Sequence, residues 1–312
     1  MALVSAPFHH DVAEGPKADA YWLTTSDDVR IRAAHWACES SRGTVLLFPG
    51  RTEYVEKYGR AADDFAALGY GTFGIDWRGQ GLADRLIDNR AAGYVGAFPD
   101  YQKDIAAFLA AAEELALPKP WFLVAHSMGG CIGLRAAMEG LPVNGVVFTG
   151  PMWGIKIAPV MKPVAWVTTR LAKIFGFSDA IAPTTGELTY VLQQDFDGNT
   201  LTNDADMYAY MRKQVETYPD LSLGGPALHW LSEATVECQN LAAQPSPDLP
   251  CLTFLGTDEQ IVTQVAIHDR MGRWDIGTLE MVQGGQHEVL MEGDELRGLV
   301  LTKIGAFFDA NR

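Results

Sequence analysis

Between residues 44 and 150 the chain repeats one alternation, a short apolar run followed by a stretch with helical spacing. TVLLFPG (44–50), YGTFGIDW (70–77), PWFLVAHS (120–127) and VNGVVFTG (143–150) have the length and composition of strands. Between them, Tyr54, Tyr58, Ala62, Phe65 and Leu68 recur on one helical face, and YQKDIAAFLAAAEELA (101–116) carries a similar pattern. Strands alternating with helices predict a mostly parallel sheet covered on both faces. Two earlier runs, YWLTT and VRIRAAHW, predict a leading hairpin.

After Pro151 the rhythm stops, and no convincing strand appears until PCLTFLGTD begins at Pro250. Residues 152–233 therefore read as a mainly helical cap inserted between two parts of one core, 1–151 and 234–312. Within the cap, Val164, Val167, Leu171, Ile174 and Phe175 form an apolar helical stripe, expected to pack on the body. The prolines of AAQPSPDLP (242–250) exclude a continuing helix and mark a linker. The sheet then resumes with LPCLTFLG and GTLEMVQGG, and DELRGLVLTKIGAFFDANR closes the chain as a helix.

A formal charge of −15 without long single-sign runs argues against a nucleic-acid surface. Cys38, Cys131, Cys238 and Cys251 lack CxxC spacing, so reduced thiols are expected rather than a zinc site or a disulfide framework. The N-terminus has no basic start leading into an apolar stretch, and no segment reaches the roughly 18 charge-free apolar residues of a membrane span. The expectation is a cytoplasmic protein.

Ser127 stands where the strand WFLVAHS meets the helix GGCIGLRAAMEG, in a small-x-Ser-x-Gly pattern formed by Ala125, His126, Ser127, Met128 and Gly129. A sharp strand-to-helix turn needs small residues around the serine because the two backbones nearly touch. The turn lifts the hydroxyl beside a helix N-terminus, whose free amides favour negative charge. A capping serine has the same local sequence, so the chemistry rests on partners. A serine nucleophile needs a base, and the base needs an orienting acid.

Asp258 follows the strand LTFLG and His287 follows the next, giving the order nucleophile, acid, histidine. Glu259 is a rival acid beside Asp258, and Asp258 could instead cap the helix beginning near Val262. His126 adjoins the nucleophile, with its side chain expected to point away. Of the seven histidines, only His287 follows a late strand in a glycine-rich loop. Two backbone amides are candidate oxyanion donors: Met128, after the nucleophile, and Arg51, after the Pro49-Gly50 turn. Asp76, Arg78, Gly79 and Gly81 of IDWRGQGLAD read as scaffolding of the rim.

On these residues the chain resembles an α/β-hydrolase, and within that superfamily the branch of bacterial lysophospholipases and monoacylglycerol lipases. The resemblance runs from about Tyr21 to the C-terminus through FPGRTEYVEKYGR, GIDWRGQG, AHSMGG, LTNDADMYAYMR, LSLGGPALHWL, FLGTDEQIV and GGQHEVLME. The last is the most specific, with His followed by Glu-x-Leu-x-Glu. Two departures stand out: Pro49-Gly50-Arg51 where eukaryotic monoacylglycerol lipases carry His-Gly, and Ala227 where the family usually places threonine.

The resemblance implies an α/β-hydrolase fold with about eight strands, flanking helices and a helical cap. It implies Ser127 as nucleophile, His287 as base, Asp258 as orienting acid, and the Arg51 and Met128 amides as oxyanion hole. The implied activity is hydrolysis of a small single-chain lipid ester. Gly50, Met152, Trp153 and Trp230 are candidate pocket residues, and the cap a candidate for peripheral contact with the inner face of the membrane. No metal or organic cofactor is expected, and the oligomeric state is left open. The rival enzymes are a carboxylesterase, thioesterase or peptidase of the same fold; the rival from another class is a hydrolase-like receptor without turnover. The Arg51 side chain, beside the oxyanion turn, is a candidate partner for a substrate phosphate unless it pairs with Glu53.

Overall fold

The computed structural model describes residues 3–156, 177–183 and 185–312. Its strands are β1 (Val4–Ser5), β2 (Ala18–Thr24), β3 (Arg30–Trp36), β4 (Thr44–Phe48), β5 (Gly71–Asp76), β6 (Trp121–His126), β7 (Gly145–Thr149), β8 (Cys251–Gly256) and β9 (Gly277–Val282). They form one sheet in the order β1-β2-β3-β5-β4-β6-β7-β8-β9. Pairing is antiparallel from β1 through β3 to β5 and parallel from β5 to β9. The strand beyond the expected eight is β1, whose two residues pair with Tyr21 and Trp22 and are too short to show a period.

The helices are α1 (Gly59–Ala67), α2 (Tyr101–Glu114), α3 (Ser127–Met138), α4 (Tyr190–Gln193), α5 (Ala205–Thr217), α6 (Leu228–Ala242), α7 (Gln264–Met271) and α8 (Asp294–Ala310). The central strands are apolar at nearly every position because both faces are covered. Alternate residues supply opposite faces. Val45, Leu47, Phe122 and Val124 pack with Phe65 of α1 and with Val300, Ile304 and Phe308 of α8. Leu46, Phe48, Leu123 and Ala125 pack with Ile105 and Phe108 of α2, Leu134 of α3 and Ile267 of α7.

The chain turns from β4 to β5 on one side and to β6 on the other. This reversal leaves a crevice at the carboxyl ends of β4 and β6, where ligands of open α/β sheets bind.

The insertion between β7 and β8 contains α4, α5 and α6 among the described residues. The apolar stripe expected at 164–175 lies outside the described residues. The boundary expected at residue 233 falls inside α6 and is corrected. Trp230, Ala234, Cys238 and Leu241 are buried on one face, so a single packing stripe carries the helix through that position. No helix of the described residues is long and apolar enough to cross a membrane. All four cysteines are free thiols.

Candidate active site

β6 ends at His126, and Ser127 begins α3 with φ +50°, in the left-handed region that side chains seldom occupy. Close packing over-determines this strained turn. A Cβ on Gly129 would lie 2.1 Å from the Phe48 carbonyl oxygen, so α3 crosses the end of β4 only without a side chain there. Met152 N–H donates to the Ser127 carbonyl at 2.8 Å from the other side.

The Ser127 hydroxyl lies 3.0 Å from His287 Nε2, and His287 Nδ1 lies 2.6 Å from Glu259 Oε2. All three side chains are buried. Three strand ends deliver them: Ser127 from β6, Glu259 after β8 and His287 after β9. Gly150, at the end of β7, leaves the space they need, since a Cβ there would sit 3.1 Å from His287 Nδ1 and 3.3 Å from Glu259 Oε2.

The orienting position belongs to Glu259, which corrects the choice of Asp258. Asp258 is exposed, and its carboxylate meets the Thr257 hydroxyl at 3.2 Å. Its backbone N–H donates to the Gly285 carbonyl, which anchors the loop and turns the next residue inward. Glu259 Oε1 also accepts the N–H groups of Ile261 and Val262, so its second oxygen is aimed at the imidazole. Burial works to raise the Glu259 carboxyl, but the hydrogen bond and charge of His287 and these two amides outweigh it, and the pKa lies below the usual value.

His126 packs beside the pair, 4.7 Å from the His287 ring centroid. Its Nδ1 meets the Thr149 carbonyl at 2.9 Å, so Ser127 is left to His287. Burial pushes the His126 imidazole down to about 3, against the pull of the Glu53 carboxylate. The unfolded chain takes up this proton near pH 6.5 and the folded chain does not, so stability falls as pH drops below about 6.5. Urea midpoints between pH 7 and 5 are expected to fall more steeply for the wild type than for His126→Gln.

Behind the turn after β4 lies a buried ionic cluster whose role was not legible in the sequence. Glu53 accepts from Gly50 N–H, from Tyr58 Oη at 2.6 Å and from Lys57 Nζ at 2.6 Å. Lys57 also meets Glu288 at 2.6 Å, which ties this turn to the residue after His287. Glu53, His126 and Glu288 come within 4.8 Å of one another, a spacing that could suit a metal, but the Lys57 ammonium already bridges the two carboxylates. Glu292 accepts from Gln286 N–H at 2.7 Å and Asn203 N–H at 2.9 Å, holding the His287 loop to the insertion. The Glu-x-Leu-x-Glu signature thus supplies two anchors for the histidine loop.

GIDWRGQG acts through the same turn. Gln80 donates to the Gly50 carbonyl at 3.2 Å and accepts from Thr52 N–H at 2.8 Å. Asp76 pairs with Arg32, and Arg78 with Asp104 and Asp27, all behind the site. Spacing alone gave no signal for Gln80, because its partners arrive from another strand.

The Met128 amide lies in the first turn of α3, beyond reach of an intrahelical carbonyl. The turn fixed by Gly50, Glu53 and Gln80 carries the Arg51 amide.

A cavity of about 340 Å³ opens over Ser127 and His287. Met152 and Trp230 line it, with Val191, Met211, Val215 and Ile261 among its apolar walls. Trp153 and Gly50 are corrected. Trp153 is buried against Phe148 and Trp274 and donates to the Gly130 carbonyl at 3.1 Å, while Gly50 is enclosed by Glu53 and Gln80.

Comparison with known proteins agrees with this architecture. The chain is 29% identical to lysophospholipase L2 of Escherichia coli K12, over 95% of its own length and 90% of that protein's. It resembles the structure of a soluble variant of monoglyceride lipase from Saccharomyces cerevisiae in complex with a substrate analog, with TM-score 0.74 at 19% identity, covering 98% of this chain and 100% of that one. A thermostable carboxyl esterase from Bacillus coagulans in complex with glycerol gives TM-score 0.73 at 16% identity, covering 94% and 98%. Residues 39–294 match the family described as serine aminopeptidase, S33, and the chain belongs to that family of α/β-hydrolases.

Proposed function

We propose that the chain hydrolyses carboxylic esters of single-chain lipids through an acyl-enzyme on Ser127. The observation that carries this reading is the continuous Ser127–His287–Glu259 hydrogen-bond chain at the base of an apolar cavity. His287 Nε2 takes the hydroxyl proton as Ser127 Oγ attacks the acyl carbon, and the Arg51 and Met128 amides receive the oxyanion. Glu259 holds the proton on Nδ1 and stabilises the imidazolium. His287 then protonates the leaving glycerol oxygen, and water repeats the sequence to release the fatty acid.

The apolar walls suit an acyl chain, and the insertion that contributes Met211, Val215 and Trp230 serves as a cap. The names of the E. coli relative and of a yeast monoglyceride lipase, 30% identical over 36% of this chain, support a lipid ester. Phe177 and Leu188, 69% and 58% exposed, give the cap apolar contacts for a lipid surface.

A mixed pool of lysophospholipids, monoacylglycerols and short esters, analysed for products with Ser127→Ala as the blank, tests this reading. Fatty acid is expected from the single-chain lipids, together with fluorophosphonate labelling that disappears in Ser127→Ala. Preferential turnover of the short esters would reject the lipid substrate; an unlabelled wild type would reject the enzyme.

A further inference from the structure

The cavity wall beside Ser127 holds a cation, Arg51, that has no counter-ion among the described residues. Arg51 lines the cavity, and among the described residues no carboxylate lies within ion-pair distance of its guanidinium. Its sequence neighbour Glu53 is fully engaged by Lys57, Tyr58 and Gly50 N–H. Of the five guanidinium N–H donors, one forms a hydrogen bond to a protein acceptor among the described residues, from Nη1 to the Gly224 carbonyl at 2.8 Å. The guanidinium carbon lies 5.6 Å from the Trp230 ring centroid, so an aromatic face supports the fork.

Leaving such a cation uncompensated is costly where water is scarce. Arg32 and Arg78, buried behind the site, each have two carboxylate partners. Arg270, buried without a carboxylate, is instead held by the Leu241 and Gln244 carbonyls and the Ser246 hydroxyl. Arg51 has neither arrangement among the described residues, and it lines the cavity in which the ester must lie.

The position also fits the chemistry of a substrate. The Arg51 amide belongs to the oxyanion turn, so its side chain starts beside the reacting carbonyl. In a 1-acyl lysophospholipid the phosphorus lies five bonds from the ester oxygen, and bonds of about 1.5 Å allow a separation of up to about 6 Å. A phosphodiester offers two anionic oxygens, which a planar guanidinium can engage in parallel.

We propose that the Arg51 guanidinium is the headgroup subsite of this enzyme, binding the phosphate of a lysophospholipid and favouring it over an uncharged monoacylglycerol. This inference rests on the lipid-ester reading above and assigns its headgroup.

The test uses the full chain, with kcat/KM measured on an acyl-matched lysophospholipid and monoacylglycerol for wild type, Arg51→Lys and Arg51→Met. A disturbed oxyanion amide, or a cap loosened at Gly224, lowers both rates together and leaves their ratio unchanged. Loss of a phosphate contact lowers the ratio. The lysophospholipid-to-monoacylglycerol ratio is expected to fall about 10–100-fold in Arg51→Met, with Arg51→Lys between. Glycerol 3-phosphate is expected to inhibit the wild type more strongly than glycerol and inorganic phosphate, and to lose that advantage in Arg51→Met. An unchanged ratio in Arg51→Met overturns the proposal, as does equal inhibition by glycerol 3-phosphate and inorganic phosphate, which would mark a site for the free anion. Failure of the underlying reading shows differently, as a wild type that labels with fluorophosphonate but hydrolyses neither lipid, and that result removes the subsite with it.

Discussion

Glu259→Gln is expected to lower kcat about 10³–10⁴-fold while Asp258→Asn stays within about twofold of wild type. The difference follows from how an amide would sit in the Glu259 site. Its oxygen continues to accept from the Ile261 and Val262 amides, which keeps the loop in place. Its NH₂ group then faces His287 Nδ1, which must act as acceptor. The imidazole proton moves to Nε2, and His287 loses the lone pair that would take the proton from Ser127. Steady-state kinetics on one ester, with fluorophosphonate labelling rates as the measure of Ser127 reactivity, separates the two residues. A larger loss in Asp258→Asn would return the orienting role to Asp258. The exposed Asp258 carboxylate, engaged with Thr257, has no path to the imidazole without rebuilding the loop.

Lys57→Met is expected to destabilise the fold by about 3–5 kcal/mol, the usual cost of stranding buried charge. Lys57, Glu53 and Glu288 have side chains only 5–7% exposed, and the ammonium is the shared partner of both carboxylates. In the wild type burial opposes the charges of Glu53 and Glu288, but Lys57 holds the Glu53 carboxyl well below its usual value, while burial and Glu53 raise that of Glu288. Without Lys57 both carboxyls rise above their unfolded values, so the folded variant binds more protons than the unfolded chain. Its stability therefore falls as pH rises, and the deficit against wild type should be greater at pH 8 than at pH 5. Urea unfolding at the two pH values checks magnitude and sign together. A deficit independent of pH would mean that lost packing of the lysine stem, and not stranded charge, dominates.

These predictions mark where local sequence stops being informative. The fold was legible because fully buried strands such as TVLLF and WFLVAH contrast with the helices between them, and that contrast is a property of neighbouring residues. Ser127 and His287 could be picked out as candidates because each stands at a strand end with small residues beside it, and the structure brings the two side chains to 3.0 Å. The choice between Asp258 and Glu259 was not, because adjacent carboxylates have the same chemistry and opposite directions, and direction depends on which backbone amides capture the loop. Trp153 and Trp230 likewise read alike. One is packed beneath α3 and the other lines the cavity, a distinction made by the neighbours that the sheet and α6 bring to them.

By itself, then, the sequence determined the parallel sheet and put forward Ser127 and His287 as candidates, since periodicity, glycine placement and chain order are encoded locally. Only the tertiary structure decided that Glu259 faces His287, that Lys57 joins the turn after β4 to the histidine loop, and that Arg51 lines the cavity with no carboxylate in ion-pair distance among the described residues. Each of these depends on which partner, tens to hundreds of residues away, fills the directions left open to a charged group. Burial makes those choices consequential, because in a low dielectric a charge without its partner is far more costly than in water.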